Sequence, residues 1–153
     1  IRAMPNTPAL VGQGAAAISF STDTTEHDIS WAETVLGSVG TVVRIAEVHM
    51  DVVTAISGSG PAYVFLLAES LVAEAVKQGL SPEAADGLVR QLLVGSAALL
   101  SASSESPAVL RERVTSPKGA TAAALEALET AGFRAAIATA VAAAVGRSRE
   151  LGA

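Results

Sequence analysis

The spacing of apolar residues changes near Glu47, and this change limits what the chain can fold into. From about residue 48 to residue 151, apolar residues recur at intervals of three and four, and alanine makes up about a fifth of the whole sequence. Alanine is the strongest helix former, and this spacing places apolar side chains along one face of a helix. The second part of the chain is therefore predicted to be all helical.

Start and stop signals divide this helical part into segments. Proline is favoured in the first turn of a helix, often after a serine cap, and glycine is favoured just after the last turn. Ser81-Pro82 and Ser116-Pro117 are such starts, and Gly79 and Gly132 are such stops. Together the signals predict helices over 49–56, 61–78, 82–101, 107–114, 117–130 and 133–151.

Small residues from Ser57 to Gly60 separate the first two predicted helices. They lack the spacing of a phosphate-binding loop and of a nucleophile elbow, so a tight helix–helix turn is the better interpretation. The run Gly12-Gln13-Gly14 has no third glycine and does not lead from a strand into a helix. It is therefore not predicted to be a dinucleotide-binding fingerprint.

The first part of the chain is typical of a small α/β unit. Residues 15–20 and 41–45 are short apolar runs, the second rich in β-branched residues, and both are predicted strands. Between them, Ser30 with Glu33 three residues later has the spacing of a capping box, which predicts a short helix ending at Gly37.

Charge and composition exclude several functional classes. The chain has 10 Lys and Arg against 15 Asp and Glu, which does not support a surface for nucleic acid or for anionic lipid. Without cysteine there is no disulfide, no thiolate zinc site and no cysteine nucleophile. The only imidazoles, His27 and His49, have no metal-ligand spacing, so no metal is predicted.

No transmembrane helix is predicted, because Glu69 and Glu74 interrupt the longest apolar stretch, over residues 63–76. A soluble, cytoplasmic protein is the expectation. The first five residues, from Ile1 to Pro5, have the character of sequence from inside a domain, so we expect a fragment of a longer protein.

The segment from Val114 to Thr121 is the strongest candidate for a binding site. Its small residues lead directly into a predicted helix, whose first N–H groups have no partner within the helix and carry partial positive charge. Such an end can hold a carboxylate or a phosphate, while Gly119 permits close approach and Thr121 adds a hydroxyl group. The alternative is that Ser116 and Pro117 only start a helix, as most Ser-Pro pairs do.

Several motifs, read together, resemble those of pyrroline-5-carboxylate reductases. The resemblance covers nearly the whole chain in the order found in the family. The segments that carry it are Met4-Pro5-Asn6-Thr7-Pro8, the run from Thr54 to Tyr63 preceded by Glu47 and Asp51, the run from Val114 to Thr121, and Gly132-Phe133-Arg134.

The resemblance implies an oxidoreductase of proline biosynthesis, which reduces 1-pyrroline-5-carboxylate to L-proline with NADPH or NADH. It implies a helical bundle dimerisation domain over 48–153, similar to the carboxyl-terminal domain of 6-phosphogluconate dehydrogenase, preceded over 1–47 by the end of a Rossmann domain. The cofactor fingerprint would lie upstream of Ile1, so we expect this chain alone to be inactive.

The resemblance also implies site residues. Met4, Pro5 and Asn6 would line the edge of the cofactor, and Thr121 is the candidate catalytic residue, orienting the proton that activates the imine. The substrate-binding residues implied by the match are Val114, Thr115, Ser116, Gly119, Ala120 and Thr121. We expect a homodimer, which can assemble further, and partners limited to the small-molecule substrate and product.

Lys118 departs from the family, which usually has glycine there. Two alternatives stay open at this point: the position has a positive φ, which would strain a lysine, or Lys118 has ordinary helical angles and its ammonium group attracts the substrate carboxylate. Two alternative functions also stay open. One is a helical association module without catalytic use, and the other is the helical domain of another small-acid dehydrogenase.

Overall fold

The computed structural model describes residues 1–152 of the chain. The chain forms two compact units, one made of Ile1–Val64 together with the helical residues from Ile137 onward, and the other made of Phe65–Ala136. Most described residues are helical, and the strands all lie in the first unit, so the predicted fold class of a mainly helical chain with a short α/β part is confirmed.

A three-stranded sheet occupies the first unit. Its strands are β1 (Arg2–Met4), β2 (Gly14–Ser19) and β3 (Gly40–Arg44), and β2 lies in the centre. Strand β1 runs antiparallel to β2, whereas β3 runs parallel to it. The two strands predicted from apolar runs are β2 and β3, each beginning and ending one residue earlier than predicted.

Helix α1 (Glu26–Gly37) connects β2 to β3 and begins before the predicted start. Its cap is Thr25, whose hydroxyl oxygen accepts a hydrogen bond from the Asp28 N–H at 3.2 Å. The prediction that Ser30 caps this helix is therefore wrong. The earlier start places Glu26 and Asp28 in the first turn, where their negative charge interacts favourably with the helix dipole.

Six further α-helices and one π-helical segment follow β3 in the described part of the chain. A 3₁₀ turn at Glu47–His49 leads into this region, which agrees with the predicted change of structure near residue 47. The helices are α2 (Met50–Val53), α3 (Gly60–Lys77), α4 (Pro82–Ala102), α5 (Pro107–Arg113), α6 (Ala120–Thr130) and α7 (Phe133–Gly152), with the π-helical segment Thr54–Gly58 between α2 and α3.

Local signals account for most of these boundaries. Ser81 and Ser106 cap α4 and α5 through their hydroxyl groups, and each is followed by proline. Gly79 has a φ of 103°, and the N–H groups of Gly79 and Leu80 donate to the carbonyl oxygens of Val76 and Ala75. This pattern is the Schellman motif, which satisfies carbonyl groups at the end of a helix.

The residues between α2 and α3 do not form the predicted turn. The segment Thr54–Gly58 winds as a π-helix, so that the Ser59 N–H donates to the Thr54 carbonyl five residues back, at 2.8 Å. The helical path therefore continues from Glu47 to Lys77.

The described core is small and lies mostly in the first unit. Ile18, Ile29 and Met50 are its largest fully buried apolar side chains. In the second unit, Ala85 and Val89 are buried, whereas many large apolar side chains of the helices reach solvent in the single chain. Those exposed by more than half include Phe65, Leu66, Leu88, Leu92, Val94 and Leu99.

One helical stretch, Glu47–Lys77, is long and apolar enough to cross a membrane by length and composition, although only 11% of its apolar window is buried. Helices α6 and α7 pass the same test only if taken together across their 51° bend. The prediction of no transmembrane helix, which was based on length and composition, is therefore not confirmed by these two properties. An apolar helix inside a protein assembly has the same two properties.

Candidate functional site

The predicted cofactor-edge residues, Met4 to Asn6, form a loop that begins at the last residue of β1 and contacts the π-helical segment. The side-chain amide of Asn6 donates a 3.0 Å hydrogen bond to the carbonyl oxygen of Ser57. Its side-chain oxygen accepts one from the Ala15 N–H at 2.9 Å. Asn6 is partly buried and connects two backbone segments of the first unit.

A second contact joins the same loop and segment. The Met4 side chain lies over Gly58, where a Cβ atom would stand only 2.5 Å from the Met4 Cε atom. The absence of a side chain at Gly58 is what allows this approach. The structure therefore brings together two of the four motif segments found in the sequence, those containing Asn6 and Ser57.

Tyr63, in the first turn of α3, also contacts the π-helical segment. Its hydroxyl group donates a 3.0 Å hydrogen bond to the carbonyl oxygen of Ala55, which is fully buried. A π-helical turn leaves backbone groups without their usual α-helical partners, and such turns are frequent at functional sites. Sequence reasoning missed this segment, because side chains outside it, those of Tyr63 and Asn6, supply two of the donors to its carbonyl groups.

The third motif segment lies in the second unit, between α5 and α6. Ser116 to Gly119 form a turn closed by a 3.1 Å hydrogen bond from the Gly119 N–H to the Ser116 carbonyl oxygen. Pro117 is its second residue, and Lys118 is its third, with a φ of 59°. Proline followed by a residue of positive φ defines a type II turn. Lys118 therefore has the left-handed conformation, and the alternative of ordinary helical angles is wrong.

Helix α6 begins at Ala120, three residues later than predicted. The prediction that Pro117 starts this helix is wrong, because Pro117 and Lys118 are the central residues of the turn. Gly119 occupies the cap position, and no side chain accepts a hydrogen bond there. Among the described residues, the N–H groups of Ala120, Thr121 and Ala122 have no hydrogen-bond acceptor. This end of the helix therefore offers free donors.

Close packing inside the loop explains the glycine at its end. A Cβ atom on Gly119 would lie 2.3 Å from the Ser116 Oγ atom and 3.2 Å from its carbonyl oxygen. Just before the turn, the Thr115 hydroxyl donates a 2.6 Å hydrogen bond to the Arg111 carbonyl oxygen at the end of α5. Val114 and Thr121 are exposed, and no described residue contacts the Thr121 hydroxyl group by a hydrogen bond.

Two acidic residues beside the π-helical segment have separate partners. Glu47 accepts hydrogen bonds from the Ser19 hydroxyl and the Arg2 guanidinium group. Both hydrogen bonds lower the pKa of the Glu47 carboxyl group, and the one from Ser19 has the larger effect. Asp51 accepts a 2.6 Å hydrogen bond from the Ser148 hydroxyl of α7. The two carboxylates are therefore structural acceptors in the first unit. Within the described part of the chain, no cluster of three metal-ligating side chains occurs.

Comparison with known proteins connects these features to one family. A family model described as pyrroline-5-carboxylate reductase dimerisation matches residues 47–151. The chain is 45% identical over 151 residues to the pyrroline-5-carboxylate reductase of Arabidopsis thaliana and 46% identical over 152 residues to that of Synechocystis. Each alignment covers 99% of this chain but only 55% and 57% of those relatives. The chain thus spans little more than half of their length.

Solved structures give the same result. A pyrroline carboxylate reductase from Plasmodium falciparum with NADP bound superposes with a TM-score of 0.91 at 38% identity, covering 99% of this chain and 62% of that one. A pyrroline-5-carboxylate reductase from Coxiella burnetii superposes with a TM-score of 0.94 at 38% identity, covering 98% of this chain and 56% of that one. The sequence similarity and the similarity of fold therefore extend over the same residues.

Proposed function

Because the chain belongs to the pyrroline-5-carboxylate reductase family by its match to the dimerisation model, we propose that it is part of an enzyme that reduces 1-pyrroline-5-carboxylate to L-proline. The observation that carries this proposal is the exposed loop Val114 to Thr121, which leads into a helix with free N–H donors. The alternative of a purely structural association module gives no reason for such a loop.

The substrate of the proposed reaction is a cyclic imine with one carboxylate group. We assign the carboxylate to the N–H groups at the start of α6, because they are free and lie where the helix dipole favours negative charge. The residues proposed to contact the substrate are Val114, Thr115, Ser116, Gly119, Ala120 and Thr121.

Thr121 is the proposed catalytic residue. Its hydroxyl lies on the same first turn of α6 as the carboxylate site and would face the ring nitrogen, which must gain a proton for the imine to accept a hydride. A threonine hydroxyl is a weak acid, so its role is to orient or relay that proton, with water as the source. When bound, the nicotinamide cofactor, NADPH or NADH, supplies the hydride.

Met4, Pro5 and Asn6 are proposed to line the cofactor edge. Asn6 already uses one amide N–H and one oxygen lone pair for hydrogen bonds within the chain, so few of its polar groups are left to bind the cofactor. We therefore assign these residues only to the edge of the cofactor. The first part, 1–47, is proposed to be the end of a Rossmann domain, and 48–153 the helical dimerisation and substrate-binding domain. The phosphate groups of the cofactor would require the preceding part of the Rossmann domain, so the chain alone is expected to be inactive.

A second copy of the chain is the proposed cover for the exposed apolar faces of α3 and α4. The matched model is a dimerisation family, and helices with large exposed leucines are stabilised by burial in such an interface. We propose a homodimer located in the cytoplasm. A stable monomer at micromolar concentration in sedimentation would contradict the dimer.

The proposal is tested with the complete protein by following 1-pyrroline-5-carboxylate-dependent oxidation of NADPH. Thr121→Val should lower kcat by roughly a hundredfold, the lower end of the range for a lost proton-transfer contact, whereas Thr121→Ser should retain most activity. Thr130→Val, at the other end of the same helix, is the matched control and should behave like wild type.

Two results would overturn different parts of the proposal. A folded complete protein that leaves the substrate unreduced would contradict the assigned function. Wild-type turnover in Thr121→Val would instead remove the role assigned to Thr121 while leaving the function standing.

A further inference from the structure

We infer that Asn6 is a positioning residue, which fixes the cofactor-edge loop onto the π-helical segment Thr54–Gly58. Its hydrogen bonds are observed in the chain itself. Their consequence for hydride transfer rests on the proposed function. In addition to lining the cofactor edge, Asn6 thus acts through the position of Met4 and Pro5.

The first step of the argument concerns the carbonyl oxygen of Ser57. In an α-helix this oxygen would accept the N–H of the residue four positions later, but that residue is Pro61, which has none. With π-helical winding the donor would be Ala62, whose N–H instead donates to Ser59 at 3.0 Å. The Ser57 oxygen therefore has no backbone donor, and the Asn6 amide supplies one.

The second step concerns the requirement for an asparagine. Asn6 donates through its nitrogen to Ser57 and accepts through its oxygen from Ala15, at 3.0 and 2.9 Å. Aspartate has no donor for the Ser57 carbonyl, alanine has neither group, and glutamine is longer by one methylene group. Both bonds together fix the side chain in one orientation between β2 and the π-helical segment.

The third step connects Asn6 to the loop. Met4 lies against Gly58 on the same π-helical segment, and Pro5 between Met4 and Asn6 has a fixed φ. The hydrogen bonds of Asn6 therefore hold the loop, and the end of the Met4 side chain packs against Gly58 beside them. Misplacement of a reacting group by about 1 Å can lower a rate roughly a hundredfold, so this anchoring matters for a loop beside a hydride donor.

The test compares two variants of the complete protein that each remove one side-chain hydrogen bond to the π-helical segment. Asn6→Asp removes the donor to Ser57, while Tyr63→Phe removes the donor to Ala55 and leaves the loop untouched. Both are expected to lower Tm by similar amounts. Only Asn6→Asp is expected to lower kcat/KM for NADPH, by about tenfold or more, with the KM for 1-pyrroline-5-carboxylate changed less than about twofold.

A measurement on the chain alone tests the hydrogen bonds without activity. The side-chain amide protons of Asn6 should exchange more slowly with solvent than those of Gln13, which is exposed and has no described hydrogen bond from its side chain. Asn6→Asp should also shift the amide resonance of Ala15. Equal exchange of the Asn6 and Gln13 protons would overturn the inference.

The kinetic outcomes separate the inference from the proposed function. Equal kinetic effects of Asn6→Asp and Tyr63→Phe would show that Asn6 has only a general structural role, and the inference would be wrong. A wild-type protein without reductase activity would contradict the proposed function, and slow exchange of the Asn6 protons would then still support the anchoring of the loop.

Discussion

The Ser148 hydroxyl donates a 2.6 Å hydrogen bond to the Asp51 carboxylate, so the last helix of the chain is attached to a short helix 97 positions earlier. Asp51 is also 3.8 Å from the Arg149 guanidinium group, and its side chain is 28% exposed. Three charged or polar groups therefore hold α7 against α2 within the first unit.

This contact predicts a measurable loss of stability. Ser148→Ala should lower the free energy of unfolding by about 1–2 kcal/mol, because a partly buried carboxylate loses its closest donor. The measurement is urea denaturation of the chain at fixed concentration. Ser70→Ala is the matched control, because Ser70 also lies in a helix but donates only to the local Leu66 carbonyl. Equal stability of the two variants would contradict the prediction.

Gly40 is expected to tolerate no side chain. A Cβ atom there would lie 2.0 Å from the Gly14 carbonyl oxygen, and its other close neighbours are also backbone atoms, which cannot rotate away. Gly40→Ala should therefore destabilise the chain by about 3 kcal/mol by separating β2 from β3. Gly37 lies three residues earlier, in α1, and a Cβ atom there would have no neighbour within 4 Å. Gly37→Ala should therefore raise the free energy of unfolding, by up to about 1 kcal/mol. Thermal denaturation tests this: the Tm of Gly40→Ala should be lower than that of wild type, and the Tm of Gly37→Ala should be equal or higher.

Lys118 is the position where a substitution should stabilise the protein. Its φ of 59° is costly for a residue with a side chain, so Lys118→Gly should raise the free energy of unfolding by up to about 1 kcal/mol. Lys118→Ala removes the same charge but keeps the strain, and should leave stability nearly unchanged. If both variants gained equally, the charge of Lys118 and not its backbone conformation would be the cause.

Glu47 should make the stability of the chain depend on pH. The Ser19 hydroxyl, which is buried, and the Arg2 guanidinium group lower the pKa of its carboxyl group below the ordinary value of 4.5. A lowered pKa in the folded state means that the stabilisation is present above the unfolded value and is lost as pH falls through the folded value. Glu47→Gln should thus have a lower Tm than wild type at pH 7, and the difference should shrink below about pH 4.5.

Glu126→Gln serves as the comparison for this pH series, because Glu126 has no described ion pair. Its Tm should follow that of wild type at every pH. A difference between wild type and Glu47→Gln that stays constant from pH 7 to pH 3 would contradict the assigned linkage.

Local signals predicted the regular parts of the fold well. The Ser81-Pro82 start, the glycine stop at Gly79 and the apolar runs of β2 and β3 each depend on residues within one turn or one strand. Such signals can be read from the sequence alone, because the cap, the proline and the glycine act on their immediate neighbours. Ser30 and Ser116 show the limit, because the same signals occur there without a helix start.

At Ser116 the difference comes from the residues that follow. Pro82 is followed by Glu83 and Ala84, which favour a helix, whereas Pro117 is followed by Lys118 and Gly119, which close a turn instead. The π-helical segment was beyond local reasoning altogether. The Ser57 carbonyl group accepts its hydrogen bond from Asn6, 51 positions away, and such a pairing is fixed only by the tertiary structure.

The wider winding between α2 and α3 also affects where this chain can lose a residue. A π-helical turn holds one residue more than an α-helical turn, and each residue of an α-helix rotates the path by about 100°. A single deletion between Thr54 and Gly58 can therefore be absorbed by a return to α-helical winding, which leaves the facing of α2 and α3 unchanged. The same deletion elsewhere along α3 would turn every subsequent side chain to a different side of the helix.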